Sequence, residues 1–300
     1  MYIYEIVAKG GVFTEERIVE YQADGARLST MKAGGTVRRV IRPRDERELC
    51  AVLRELSLDN EKPLLLGNGS NVVFRSCGYD GTVVLTEALS EVSVSGNEIY
   101  CGAGASLTGV AVTACENSLS GLEFAYGIPG TVGGGVFMNA GAYGGEMVDV
   151  IESVRCCDAE GNVKVLPKEA LGLSYRHSAF MENGLYVLGA TLRLARGDKD
   201  AIRAKMSKNM EKRRTKQPLE YPSCGSAFKR PEGYFAAALI EQCGLKGATV
   251  GGMQVSEKHS GFIINKGNAT GDDVEALLAL VQKTVYEKTG VMLETEVRLY

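Results

Sequence analysis

GLEFAYGIPGTVGGGVFMNAGAYGGE, residues 121–146, is the stretch on which the reading of this chain turns. Nine of its 26 residues are glycine. A flexible linker would be polar and rich in serine. This run instead carries Leu122, Phe124, Tyr126, Ile128, Val132, Val136, Phe137 and Met138, side chains that favour burial. Glycine admits φ > 0 and lets other groups come close to the main chain. A buried glycine-rich backbone therefore has two readings. It wraps a ligand, with its N–H groups forming a nest for phosphate oxygens, or it packs as tight turns inside an all-protein core. The first reading predicts a large, phosphate-bearing cofactor.

A second glycine cluster lies upstream. Pro63 to Leu66 reads as a short apolar strand that runs directly into Gly67-Asn68-Gly69-Ser70-Asn71. A dinucleotide fingerprint would place a third glycine at Val72 and open a helix there, but Val72-Val73-Phe74 is strand-like, so that motif fails. What remains is a strand–turn–strand. Its N–H groups, with the Ser70 and Asn71 side chains, could grip a diphosphate, or it is a plain β-turn.

Composition narrows the classes. The chain has 300 residues, 45% hydrophobic and 24% charged, which fits a soluble globular protein of two or three domains. A net charge of −3 argues against a nucleic-acid-binding surface. No apolar run approaches the roughly 18 residues of a membrane helix. The opening MYIYEIVAKGG lacks the basic-then-apolar order of a signal peptide, so a cytoplasmic protein is expected. Eight cysteines without a C-x-x-C motif are expected to be mostly buried thiols. The two histidines, His177 and His259, have no second ligand at metal spacing, and no G-x-S-x-G elbow occurs; no metal is expected.

Taken in order, residues 1–28 form a mixed segment expected to be partly helical. A turn at Gly34-Gly35 precedes a strand to Arg42. Asp45, with Glu48 three residues on, caps a helix whose face is Leu49, Val52, Leu53 and Leu56. Strands are expected at 83–86 and 99–101, and a helix capped by Ser106 runs to Glu116. A hairpin at 151–157 and 163–166 turns on Asp158-Ala159-Glu160-Gly161, and a strand covers 186–194. Helices are expected at about 198–214, 235–243 and from the Thr270 capping box to Gly290, with a strand at 262–265 between the last two. In the terminal VMLETEVRLY, alternation puts Val291, Leu293, Thr295, Val297 and Leu299 on one face and Glu294, Glu296, Arg298 and Tyr300 on the other. The basic cluster Arg213, Arg214, Lys216 is either a solvated helix end or an anion clamp. These patterns predict an α+β protein with boundaries near 90 and 197.

Seven segments in this order resemble the UDP-N-acetylenolpyruvoylglucosamine reductases (MurB), flavoenzymes of peptidoglycan synthesis. They are LLLGNGSNVV (64–73), IPGTVGGGVFMNAGAYGGE (128–146), LSYRHSAF (173–180), PSCGSAFKRP (222–231), ALIEQCGLKG (238–247), HSGFIINKGNAT (259–270) and LETEVR (293–298). The compact 198–300 region has no room for the inserted capping tyrosine of one branch, so the resemblance is to the type II branch.

The resemblance implies a vanillyl-alcohol-oxidase-type (PCMH) FAD-binding fold. Two α+β subdomains (1–90 and 91–197) would precede a C-terminal α+β substrate-binding domain (198–300). It implies noncovalent FAD, held by Gly67, Asn68, Gly69, Ser70 and Asn71 and by Gly127, Ile128, Pro129, Gly130, Thr131, Gly133, Gly134, Asn139 and Gly141. NADPH would be the hydride donor and UDP-N-acetylglucosamine enolpyruvate the substrate. The family's catalytic trio falls on Arg176, Ser226 and Glu296. Tyr175, Arg213, Lys216, Lys229, Arg230 and Arg298 are expected to bind substrate, and the protein is expected to be a monomer. Two further readings compete with it: a flavin oxidase or dehydrogenase of the same cofactor class acting on an alcohol or hydroxy acid, and a nucleotide-sugar or flavin-binding protein without turnover.

Overall fold

Asp45 begins the first helix as its sequence predicts. Its carboxylate accepts the Glu48 N–H at 2.8 Å, and helix α1 (Glu46–Leu58) buries Leu49, Val52, Leu53 and Leu56. The same logic sets α2 (Leu107–Glu116), where the Ser106 hydroxyl accepts from Gly109, and the last helix (Gly271–Thr289), where Thr270 and Asp273 form a reciprocal capping box. Gly290 closes that helix at φ 72°, a left-handed conformation that glycine adopts freely. The computed structural model describes residues 2–9 and 12–300, with side chains from Arg17 onward.

The first sheet is built from β1 (Tyr2–Lys9), β2 (Val12–Asp24), β3 (Thr36–Arg42), β4 (Leu64–Leu66) and β6 (Tyr79–Leu85), in the order β1-β2-β3-β6-β4. Its β1–β2 pair is antiparallel and its β4–β6 pair parallel. The second sheet is antiparallel, in the order 163–167, 151–157, 186–193, β8 (Glu98–Gly102), β7 (Val92–Ser95). A third, smaller sheet joins Thr249–Val250, Met253–Val255 and Ile263–Asn265. The two-residue β5 (Val72–Val73) pairs in parallel with Arg298–Leu299.

Main-chain proximity gathers these elements into two units. One comprises residues up to Tyr21, Arg39–Asn68 and Gly81–Glu211; the other comprises Gln22–Arg38, Gly69–Asp80 and Lys212–Tyr300. Each has its own core. Leu49, Leu53, Ile99, Leu107, Leu122, Met147 and Leu192 belong to the first core, and Met31, Val73, Leu277, Val281, Val285 and Leu293 to the second. Burial of each such aliphatic side chain contributes about 1.5–3 kcal/mol.

Several expectations need correction. The helix expected within residues 1–28 is a strand pair followed by a one-turn 3-10 helix, Gly25–Leu28. Val12, Phe13, Thr14, Ile18, Val19 and Tyr21 are β-branched or aromatic residues that suit a pleated surface, and tertiary pairing follows that preference. The glycine run is not all turn: Thr131 caps a six-residue helix α3 (Val132–Phe137) made of VGGGVF. The terminal strand is broken, with Phe228 opposite Thr295 and only Arg298–Leu299 continuing as strand. Even so, Leu293 and Val297 are buried and Glu294 is exposed, as the alternation required.

Candidate active site

In the first unit the two glycine loops are pressed together. Asn68 Nδ2 donates to the Pro129 carbonyl at 2.6 Å. A Cβ on Gly67 would stand 2.2 Å from Thr131 Oγ1, so only glycine allows this approach. Gly133 is equally constrained, its Cβ position lying 2.9 Å from the Ala103 methyl. Asn68, Pro129 and Gly134 are exposed, and Gly67, Gly130 and Thr131 are half-buried. Together they make an accessible ledge, three of whose six residues are glycine. That shape suits a flat, phosphate-bearing cofactor, so the residues present fit FAD.

The ledge is not a simple nest of free N–H groups. Gly127 N–H donates to Thr108 Oγ1 at 3.0 Å, Ile128 N–H to Ala125 O at 3.0 Å and Gly133 N–H to Ala103 O at 2.8 Å. Gly134 N–H points to Thr131 Oγ1 at 3.4 Å. At these positions the close-packing reading holds, because each donor is already satisfied by protein. The chain leaves the first unit between Asn68 and Gly69. Gly69 sits buried at φ 61°, and a Cβ there would lie 1.9 Å from the Leu28 carbonyl. Its glycine is a packing requirement.

Asn139, expected to hold the cofactor, is wholly buried. Its Nδ2 donates to Ser174 O and Glu146 Oε2, each at 2.9 Å, and its Oδ1 accepts Val148 N–H at 2.9 Å. The side-chain amide is fully engaged by protein, so it braces the loop. Gly141 is paired with Glu146, and its carbonyl accepts from Arg176 Nη2 at 3.4 Å. Arg176 lies in a two-residue turn closed by reciprocal Ser174–His177 bonds of 3.1 Å, with its guanidinium 5.0 Å from the half-exposed Tyr175 ring.

In the second unit, 226–229 lies as an extended segment beside 294–296. Phe228 opposes Thr295, Glu296 N–H donates to Ala227 O at 2.8 Å, and Lys229 N–H donates to Glu294 O at 2.8 Å. Ser226 is exposed and Glu296 half-buried. Asn71, expected to grip phosphate through its amide, spends Nδ2 on the Glu296 carbonyl at 2.9 Å and receives Arg298 N–H at its own carbonyl at 3.0 Å. It anchors the segment that carries Glu296. Ser70 is half-buried.

The cationic residues divide. Lys229 forms an ion pair with Glu294. Arg230 is exposed, its guanidinium 4.7 Å from the Phe235 ring, and Lys216 is exposed. Arg213, expected to meet substrate, is buried, at 7% exposure. It faces inward because it falls on the same stripe of the helix α5 (Lys199–Lys216) as the buried Ile202, Met206 and Asn209.

Two family profiles match this chain. That of the UDP-N-acetylenolpyruvoylglucosamine reductase C-terminal domain covers residues 217–300, and that of the FAD binding domain covers residues 37–166. A UDP-N-acetylenolpyruvoylglucosamine reductase of Clostridium novyi (strain NT) is 50% identical over 271 residues, 90% of this chain and 88% of that protein. This chain belongs to the UDP-N-acetylenolpyruvoylglucosamine reductase family. A relative of the same name from Clostridium perfringens (strain SM101 / Type A) is 45% identical over 96% of this chain and 95% of its own length. The crystal structure of the reductase from Thermus caldophilus superposes with a TM-score of 0.80 at 32% identity, covering 95% of this chain and 98% of that one. The fold is therefore the α+β, PCMH-type arrangement that the resemblance implied.

Two supporting residues escaped the sequence reading. Ser178 is wholly buried and donates to Phe137 O at 2.7 Å, and Thr108 ties Gly127 and Ile128 to α2. Neither carries a motif signal of its own, since each acts on a partner distant in sequence. Among the described residues no cluster of three or more His, Cys, Asp or Glu could hold a metal ion, and no helix is long and apolar enough to cross a membrane.

Proposed function

We propose that this protein reduces UDP-N-acetylglucosamine enolpyruvate to UDP-N-acetylmuramate with NADPH, through noncovalent FAD, as a monomeric type II enzyme of cytoplasmic peptidoglycan synthesis. The observation that carries this reading is the pairing of a matched FAD binding domain with a matched reductase-specific C-terminal domain in one chain. The ledge formed by Gly67, Asn68, Gly130, Thr131 and Gly134 would hold FAD, which would supply the hydride relay between NADPH and C3 of the enolpyruvyl group.

Hydride addition pushes charge toward the substrate carboxylate, giving an enolate-like dianion that needs fixed positive charge. Arg176, permanently charged and fork-shaped, meets that need. The Glu296 carboxyl, in its protonated form, donates a hydrogen bond to the same oxygens. The backbone hold of Ala227 and Asn71 on Glu296 supports this role, because it limits how far the carboxyl can wander.

Ser226 Oγ then protonates C2. A serine hydroxyl is a weak acid, and it serves only because the carbon it protonates is strongly basic. Lys216 and Arg230, both exposed, bind the substrate's diphosphate, Tyr175 stacks beside Arg176, and Lys229 and Arg298 steady the carboxylates around Glu296.

Ser226→Ala tests the assignment in the FAD-loaded protein. Reduction of FAD by NADPH is expected to stay within a few-fold of the parent rate, while reoxidation by the enolpyruvyl substrate slows by at least about 100-fold. Equal loss in both halves would remove Ser226 as the proton donor.

A further inference from the structure

The turn that presents Arg176 is built against the preference of its own sequence. Ser174 and His177 close it with a pair of 3.1 Å main-chain bonds, leaving Tyr175 and Arg176 at its centre. Arg176 has φ 54°, the left-handed region in which the second central residue of such a turn is normally glycine. A long, charged side chain with a Cβ stays there only where its surroundings over-determine the backbone.

The surroundings are the end of the glycine run. Asn139 Nδ2 donates to Ser174 O, the carbonyl that also closes the turn. Ser178 Oγ donates to Phe137 O at 2.7 Å on the other side of the turn. Both donors are wholly buried. Asn139 is itself left-handed, at φ 41°, and its remaining amide bonds go to Glu146 and to Val148 N–H at the start of the short helix α4 (Met147–Val150). Glu146 is fixed in turn by its N–H bond to Asp149 Oδ2 at 2.8 Å. An asparagine amide offers two donors and an acceptor in one plane, and here all are used. Aspartate would aim a second carboxylate at Glu146 and an acceptor at the Ser174 carbonyl.

We infer that Asn139, assisted by Ser178, is a positioning residue that holds the Arg176 turn in its left-handed form and so aims the guanidinium at the substrate carboxylate. The segment 137–146 thereby mounts the arginine, although it adjoins the cofactor ledge in sequence. The inference rests on the proposed role of Arg176 and deepens it.

The test uses the FAD-loaded enzyme and follows its two half-reactions separately by rapid mixing. Misplacing a catalytic group by about 1 Å costs on the order of 100-fold. Asn139→Ala is therefore expected to slow reoxidation by the enolpyruvyl substrate by about 10- to 100-fold, with FAD affinity and reduction by NADPH within about threefold of the parent. On an Arg176→Lys background the same change should cost less than about threefold more, since the group being aimed is already altered. Asn139→Asp should be at least as slow as Asn139→Ala. A loss of FAD, an equal slowing of both halves, or full additivity with Arg176→Lys would overturn the inference. If Arg176→Lys alone leaves reoxidation unchanged, the role given to Arg176 fails instead. Should Asn139→Ala fold poorly, Ser178→Ala, which removes the other brace, must show the same selective slowing of reoxidation.

Discussion

Adding one methyl group to Gly67 probes the contact between the two glycine loops. In Gly67→Ala the new Cβ would stand 2.2 Å from Thr131 Oγ1, 3.1 Å from its Cγ2 and 3.2 Å from its Cβ. One loop must move, or the threonine must rotate. Rotation releases the cap on Gly134 N–H, and one of the two alternative rotamers puts Cγ2 where Oγ1 stood. Overpacking of this kind costs about 1–3 kcal/mol, and a lost cap adds about 1 kcal/mol. The single variant is thus expected to lose about 2–4 kcal/mol. Thr131→Ala alone loses only the cap, about 1 kcal/mol. In the double variant the closest atom left is the residue 131 Cβ at 3.2 Å, so the loss should return to about 1–2 kcal/mol. The coupling is then about 1–4 kcal/mol in favour of the double variant. Urea unfolding of the four proteins at one fixed FAD concentration measures it, with FAD affinity read from flavin fluorescence in parallel. Additive effects, or a Gly67→Ala protein as stable as the parent, would show that the loops do not meet as described.

Two titrations give further checks. His259 is held below its ordinary pKa, first by burial; Gly261 N–H donates to its Nδ1 at 3.1 Å. A depressed histidine pKa means that the unfolded chain binds the proton first. Stability should therefore fall as pH drops below about 6.5, and His259→Gln should flatten that slope in thermal unfolding between about pH 7 and 5. The Cys50 thiol is lowered chiefly by a hydrogen bond from Cys157, while burial pushes Cys101 up to about 12. At pH 8 Cys101 holds about one part in ten thousand as thiolate, so iodoacetamide should label Cys50 and the exposed Cys77 while sparing Cys101. Cys157→Ala, which removes the donor, should move the pH midpoint of Cys50 labelling upward, and no movement would remove the hydrogen bond from the account.

Much of the fold was legible because local signals agreed with it. Asp45, Ser106 and Thr270 cap their helices as read, and the hairpin at 151–167 turns where Gly161 allows φ 78°. The helix at 132–137 was not legible, because three consecutive glycines offer no helical propensity and only packing and the Thr131 cap make it form. The N-terminal strands were misread because EERIVEYQ carries charges that suggest an exposed helix, whereas Arg17 reaches Glu55 on α1 through bonds of 2.6 and 3.3 Å. The candidate site divides in the same way. Glycines announce close approach, but the sequence does not say to what. Asn71 and Asn139 looked like ligand-binding groups, and the side-chain amide of each is turned to protein by partners far along the chain, while Arg213 is buried on the inward stripe of its helix.

The central claim is that bound FAD carries hydride from NADPH to the enolpyruvyl sugar. It is tested most directly by an anaerobic titration of the purified protein. NADPH should bleach the oxidised-flavin band, and UDP-N-acetylglucosamine enolpyruvate should restore it with one equivalent of UDP-N-acetylmuramate formed per FAD. A protein that binds no flavin, or a reduced flavin that ignores the enolpyruvyl sugar and is reoxidised rapidly by oxygen alone, would contradict the account.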